Sequence, residues 1–149
     1  MTEPLQPFLT VRELLADVMR LHGACFRRFT LAAGRAADLR ARVLFGFLAE
    51  REREQWSAVA RLGTGEATVL SCYVQSMPAR LYAEALATAC ATGDCEQVAE
   101  SYRQREAALE ACFAQLEDTV GPRAATVFAA LGAMKRQNQA RLQEALLDF

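Results

Sequence analysis

A chain of 149 residues, 52% hydrophobic and 23% charged, is long enough for one domain with a sizeable core and too apolar to remain disordered. A formal net charge of -1 offers no basic footprint for nucleic acid or an anionic membrane, and no apolar run is long enough to span a bilayer. Ala, Leu, Glu and Arg dominate while Gly and Pro number only 8 and 4, which predicts an all-α protein.

The first nine residues carry Pro4 and Pro7 and lack both the basic and the apolar part of a secretory signal, so the expected compartment is the cytoplasm. Thr10 and Glu13 have the spacing of a capping box, in which each side chain satisfies a backbone N–H of the other residue. Behind the box, Leu14, Val18, Leu21, Cys25, Phe29 and Ala32 recur at three- and four-residue steps and mark one face of a first helix. Gly34 and Asp38 mark a turn. A second helix over about 38–62 carries Ala41, Leu44, Leu48, Val59 and Leu62, and Gly63-Thr64-Gly65 ends it.

Residues 63–92 read as a crossover. Within it, Ser76-Met77-Pro78 opens a short helix from Arg80 to Ala91. Gly93-Asp94 begins the second half, where Asp94 and Gln97 repeat the capping-box pattern. The third helix carries Val98, Tyr102, Leu109, Phe113 and Leu116. Gly121-Pro122 breaks the chain, and a fourth helix carries Ala125, Phe128, Leu131, Leu142 and Leu146.

A shift of 84 positions lays the second half on the first without a gap: Thr10 on Asp94, Glu13 on Gln97, Phe29 on Phe113, Val43 on Val127 and Gln55 on Gln139. Two antiparallel helical hairpins are therefore expected, one over about 10–62 and the other over about 94–147, joined by the long crossover into a single domain.

The cysteines, Cys25, Cys72, Cys90, Cys95 and Cys112, are odd in number and form no CxxC pair; they read as reduced, small hydrophobes. Zinc would need tighter spacing and more imidazole than His22 alone supplies. Six polar residues, His22 among them, interrupt the apolar stripes. They are His22 on helix one, Glu52 and Gln55 on helix two, Glu106 on helix three, and Arg136 and Gln139 on helix four. The repeat pairs His22 with Glu106, Glu52 with Arg136 and Gln55 with Gln139. Unpaired polar groups cost about 2–7 kcal/mol to bury, so six at one depth must satisfy one another or hold something.

The segment from Leu31 to Gln55 resembles the helix-one/helix-two junction of the ferritin-like, rubrerythrin-type proteins. That resemblance implies a ferritin-like four-helix bundle. It also implies six ligands for two iron or manganese ions: one Glu from each of helices one and three, and Glu-x-x-His from each of helices two and four. Carried over by position, the ligands fall on His22, Glu52, Gln55, Glu106, Arg136 and Gln139. Only Glu52 and Glu106 keep the family's residue type.

Gln is a poor replacement for imidazole, and a guanidinium at position 136 opposes a cation. The expectation is a vestigial site with no metal, in which Arg136 bridges Glu52 and Glu106 and Arg136→Ala is strongly destabilising. A single ion on His22, Glu52 and Glu106 is the reduced alternative.

The expected function is a non-catalytic scaffold or binding protein, as a homodimer or with a protein partner, and without nucleic acid or membrane. Leu81, Tyr82 and Leu86 of the crossover are a candidate partner surface. One alternative is a di-iron or di-manganese oxidoreductase or iron-handling protein. Another is a small-molecule binder that uses the vacated cavity.

Overall fold

The computed structural model describes residues 8–75 and 94–148. The elements in chain order are β1 (Phe8–Thr10), α1 (Val11–Arg35), α2 (Leu39–Leu62), α3 (Ala67–Leu70), β2 (Tyr73–Gln75), α4 (Cys95–Thr119) and α5 (Pro122–Leu147). Among the described residues the protein is all-α apart from a two-stranded antiparallel ribbon, in which Leu9 pairs with Val74. Neither the ribbon nor the single-turn α3 was expected from the periodicity. The expected short helix over 80–91, with Leu81, Tyr82, Leu86 and Cys90, lies outside the described residues.

Both capping boxes form: Thr10 with Glu13 at the start of α1, and Asp94 with Gln97 at the start of α4. Asp38 caps α2, accepting from the backbone N–H of Arg40. Pro122 opens α5, where its missing N–H costs no hydrogen bond. Short connections make α1 antiparallel to α2 and α4 antiparallel to α5. The backbone N–H of Val11 donates to the Cys72 carbonyl at 2.9 Å, which fixes the loop after α3 to the start of α1.

One core is shared by both hairpins. Phe29 of α1 stacks on Phe45 of α2 and meets Tyr102 of α4 edge-on at 5.8 Å. Leu14, Val18, Leu48, Leu109, Phe113, Phe128 and Leu131 are buried around them. On α5 two expected core positions fail, since Ala125 is half-buried and Leu146 is exposed, while Ala124 is buried. The inward face of α5 runs through Ala124, Phe128, Leu131, Lys135, Asn138 and Leu142.

That face shows why the gapless repeat is out of register in its last quarter. Three residues (36–38) separate α1 from α2, whereas two (120–121) separate α4 from α5. The second hairpin is one residue shorter at its turn. Beyond it the structural equivalences are Phe45 with Phe128, Leu48 with Leu131, Glu52 with Lys135, Gln55 with Asn138, and Val59 with Leu142, each pair buried. One residue turns a helix by about 100°, enough to exchange an inward position for an outward one.

Candidate functional site

Four of the six expected residues meet in the core. His22, Glu52 and Glu106 are fully buried, and Gln55 nearly so. Arg136 and Gln139 do not join them. Arg136 is 61% exposed at its side chain and pairs with Glu110 of α4 at 3.4 Å. Gln139, half-buried, donates to the same carboxylate at 2.7 Å. The expected Arg136 bridge between Glu52 and Glu106 is therefore corrected: Arg136 lies one helical step outside the core face, for the turn-length reason above.

The positive charge comes from two residues not anticipated, Arg105 and Lys135, both buried. Their spacing contained the signal. Arg105 lies three after Tyr102 and four before Leu109. Lys135 lies four after Leu131 and seven before Leu142, so each fits its stripe. Long cationic side chains are almost never fully buried unless paired, so a place in the stripe does not by itself mark either residue as core.

Each cation is paired. The Arg105 Nη2 group donates to both Glu52 and Glu106, and its Nε donates to Glu106 Oε1 at 3.1 Å. The guanidinium carbon also lies 4.4 Å from the centre of the Tyr102 ring. The Lys135 ammonium reaches three acceptors, one for each of its protons: Gln55 Oε1 at 2.8 Å, Glu106 Oε1 at 3.2 Å and His22 Nε2 at 3.1 Å. His22 Nδ1 lies 2.5 Å from Glu52 Oε2. The imidazole tautomer follows, with Nδ1–H donating to Glu52 and the Nε2 lone pair accepting from Lys135.

Burial and Lys135 hold the His22 pKa below its ordinary value of 6.5, so the ring is neutral at pH 7. Burial would raise the Glu106 pKa, but Lys135 and Arg105 overcome it and hold the carboxyl down at about 2. Glu52 also ends below the ordinary value: burial opposes ionisation, and Arg105 and His22 outweigh it. Two carboxylates thus face one guanidinium and one ammonium, and the group is electrically balanced. Burial pushes the Cys25 thiol up to about 11, which leaves it no nucleophilic part to play.

A polar layer extends from the cluster. The Tyr102 hydroxyl accepts from Asn138 Nδ2 at 2.9 Å and from Gln55 Nε2 at 3.4 Å. Asn138 stands where the expected Gln139 was placed, one residue earlier.

No protein-family model, curated protein or solved structure matches this chain. What the cluster can do must come from its own chemistry.

Two divalent ions do not fit this donor set. The imidazole lone pair that a metal requires is taken by Lys135, and both carboxylates face Arg105. No group of three or more His, Cys, Asp or Glu side chains suited to a metal occurs among the described residues. The reduced set of His22, Glu52 and Glu106 is opposed in the same way by the two cations that join its members. Also among the described residues, no helix is long and apolar enough to cross a membrane, and Cys25, Cys72, Cys95 and Cys112 are free thiols.

Proposed function

We propose that this chain is a ferritin-like helical scaffold without catalysis of its own, in which Arg105 and Lys135 stand where a related protein would hold metal ions. One observation carries it: the Lys135 ammonium is surrounded by His22, Gln55 and Glu106, the positions that the resemblance assigns to ligands. An ammonium there supplies positive charge without exchange, its pKa lowered by burial and supported by Glu106 and Glu52. The two-hairpin repeat, with its matched capping boxes and its inward polar positions at equivalent depths, supports the ferritin-like architecture. A scaffold of this kind acts through what it binds.

Elemental analysis of the purified protein, followed by titration with iron(II), manganese(II) and zinc(II) in a calorimeter, tests the proposal. The expected outcome is no stoichiometric metal, no saturable heat and no change in the unfolding midpoint on adding chelator or metal. Stoichiometric iron with an oxo-bridged absorption band would establish a di-iron oxidoreductase or iron-handling protein instead.

A further inference from the structure

Gln55 and Asn138 support the Tyr102 hydroxyl from the core side, and both also line a cleft of about 420 Å³ between α2 and α5. Arg51, Ala58 and Arg61 of α2 and Met134 and Arg141 of α5 complete its principal walls. Volumes of this size accommodate small-molecule ligands. Two residues that line the cleft each carry a buried polar atom with no partner among the described residues. Arg51 is only 8% exposed, its guanidinium carbon lies 5.7 Å from the centre of the Phe47 ring and its Nη2 is held by Glu54 at 2.5 Å, yet its Nε–H is unbonded. Asn138 is 3% exposed, and one polar atom of its amide is used on Tyr102 while the other is unbonded. Oxygen and nitrogen of an amide can exchange places, so the free atom can serve a ligand as acceptor or donor. Buried polar groups are rarely left unbonded, and two of them on one cleft point to a missing partner.

The charge of the cleft names the partner's class. Arg51, Arg53, Arg61 and Arg141 line it, with Glu54 as the sole acid. Glu54 is shared between Arg51 and Arg141, and Arg53 is committed to Glu50. Arg61 makes no ion pair among the described residues. Four guanidinium groups against two carboxylates leave two positive charges uncompensated. A phosphate monoester carries close to two negative charges at pH 7, and its oxygens match the donor fork of arginine. A monocarboxylate would neutralise half of the excess.

We propose that the cleft between α2 and α5 binds a small, soluble phosphate monoester. Its phosphoryl oxygens accept from Arg51 and Arg61, and its organic part lies against Ala58 and Met134. The site gives a scaffold a ligand, and it stands on the cleft alone, whatever the buried cluster replaces.

The test is calorimetry at constant ionic strength with phenyl phosphate, inorganic phosphate and benzoate, together with amide chemical-shift mapping. Phenyl phosphate is expected to bind saturably, shifting amides in the 51–61 and 134–141 stretches. Benzoate, with half the charge, and inorganic phosphate, without the apolar contact, are expected to bind more weakly. Arg61→Gln, at an exposed position that leaves the fold intact, should weaken phenyl phosphate by about tenfold, since it removes charge-assisted hydrogen bonds. Arg103→Gln on α4, exposed and paired with Glu100, should change nothing. Absence of saturable phenyl phosphate binding at millimolar concentration would overturn the proposal. So would equal binding of benzoate or inorganic phosphate, or an equal loss in Arg61→Gln and Arg103→Gln. Metal titration reads none of these outcomes, so the two proposals fail separately.

Discussion

Lys135 and Arg136 are neighbours in sequence and opposites in structure, and substituting each in turn measures the register of α5 directly. Lys135→Met keeps most of the side-chain volume and removes the ammonium. His22 Nε2, Gln55 Oε1 and Glu106 then lose a donor at once in a fully buried site. Glu106 stays buried against Arg105, which must also serve Glu52, so the core is left with one uncompensated negative charge. Removing one partner of a buried ion pair costs about 3–5 kcal/mol. With a urea dependence of about 2 kcal/mol/M, the midpoint should fall by about 2 M. Arg136→Ala removes only a partly exposed pair with Glu110 and should stay within about 1 kcal/mol of the wild type. Urea unfolding followed by far-ultraviolet circular dichroism separates the two, provided the slope is unchanged. If Arg136→Ala costs more than Lys135→Met, α5 faces the core through position 136 and the cluster described here is wrong.

Acid should weaken the fold through His22. Its folded pKa lies below the ordinary 6.5, so the unfolded chain takes up a proton first, and stability present above pH 6.5 is lost as pH falls below it. A wild-type urea midpoint that drops between pH 7 and pH 5, and a flatter profile in His22→Gln, are the expected pair; identical profiles would refute the assignment. Glu106 acts in the same direction at lower pH, its contribution being lost from the ordinary 4.5 down to about 2, so Glu106→Gln should flatten the acid limb there. Tyr102→Phe leaves Asn138 and Gln55 without their shared acceptor and should cost about 1–3 kcal/mol, measured by the same urea titration. Asp94→Ala removes the capping box of α4 and should cost about 1 kcal/mol, with helix content preserved.

Helices, turns and caps were legible in the sequence because they depend on local chemistry. Thr10 with Glu13 and Asp94 with Gln97 need only their own backbone N–H groups, and both boxes form as the spacing predicts. The inner faces of α1 and α4 were legible too, since Val18, Leu21, Cys25 and Phe29 and then Tyr102, Leu109 and Phe113 leave no competing face. The face of α5 was not. Its helix offers a polar string, Lys135-Arg136-Gln137-Asn138-Gln139, in which every residue could face water, and alignment to the first half decided the matter without allowing for a shorter turn. The apolar steps Phe128, Leu131 and Leu142 continue through 135 and 138, so periodicity within the helix was the better guide than the repeat across it. Arg105 is hidden from the sequence for a different reason. A guanidinium enters a core only when carboxylates meet it there, and Glu52 reaches it from a helix 53 residues away, a pairing that no local pattern contains.

That long-range pairing also explains what the cluster contributes beyond stability. A buried ion group is weak grounds for a tight fold, since an apolar replacement of the same volume often does as well. Its charges, though, are divided unequally between the hairpins. The first hairpin brings Glu52 and the neutral His22, one negative charge. The second brings Arg105, Lys135 and Glu106, one surplus positive charge. Neither is balanced alone, and each crosses to the other through Glu52 to Arg105, Lys135 to His22 and Lys135 to Gln55. Two copies of the first hairpin packed together would bury Glu52 against Glu52, and two copies of the second would bury four cations against two carboxylates. The two hairpins have similar apolar faces, so hydrophobic burial barely distinguishes the mixed pair from the matched ones. The ions do distinguish them: only the pairing of first with second brings the buried charge to zero.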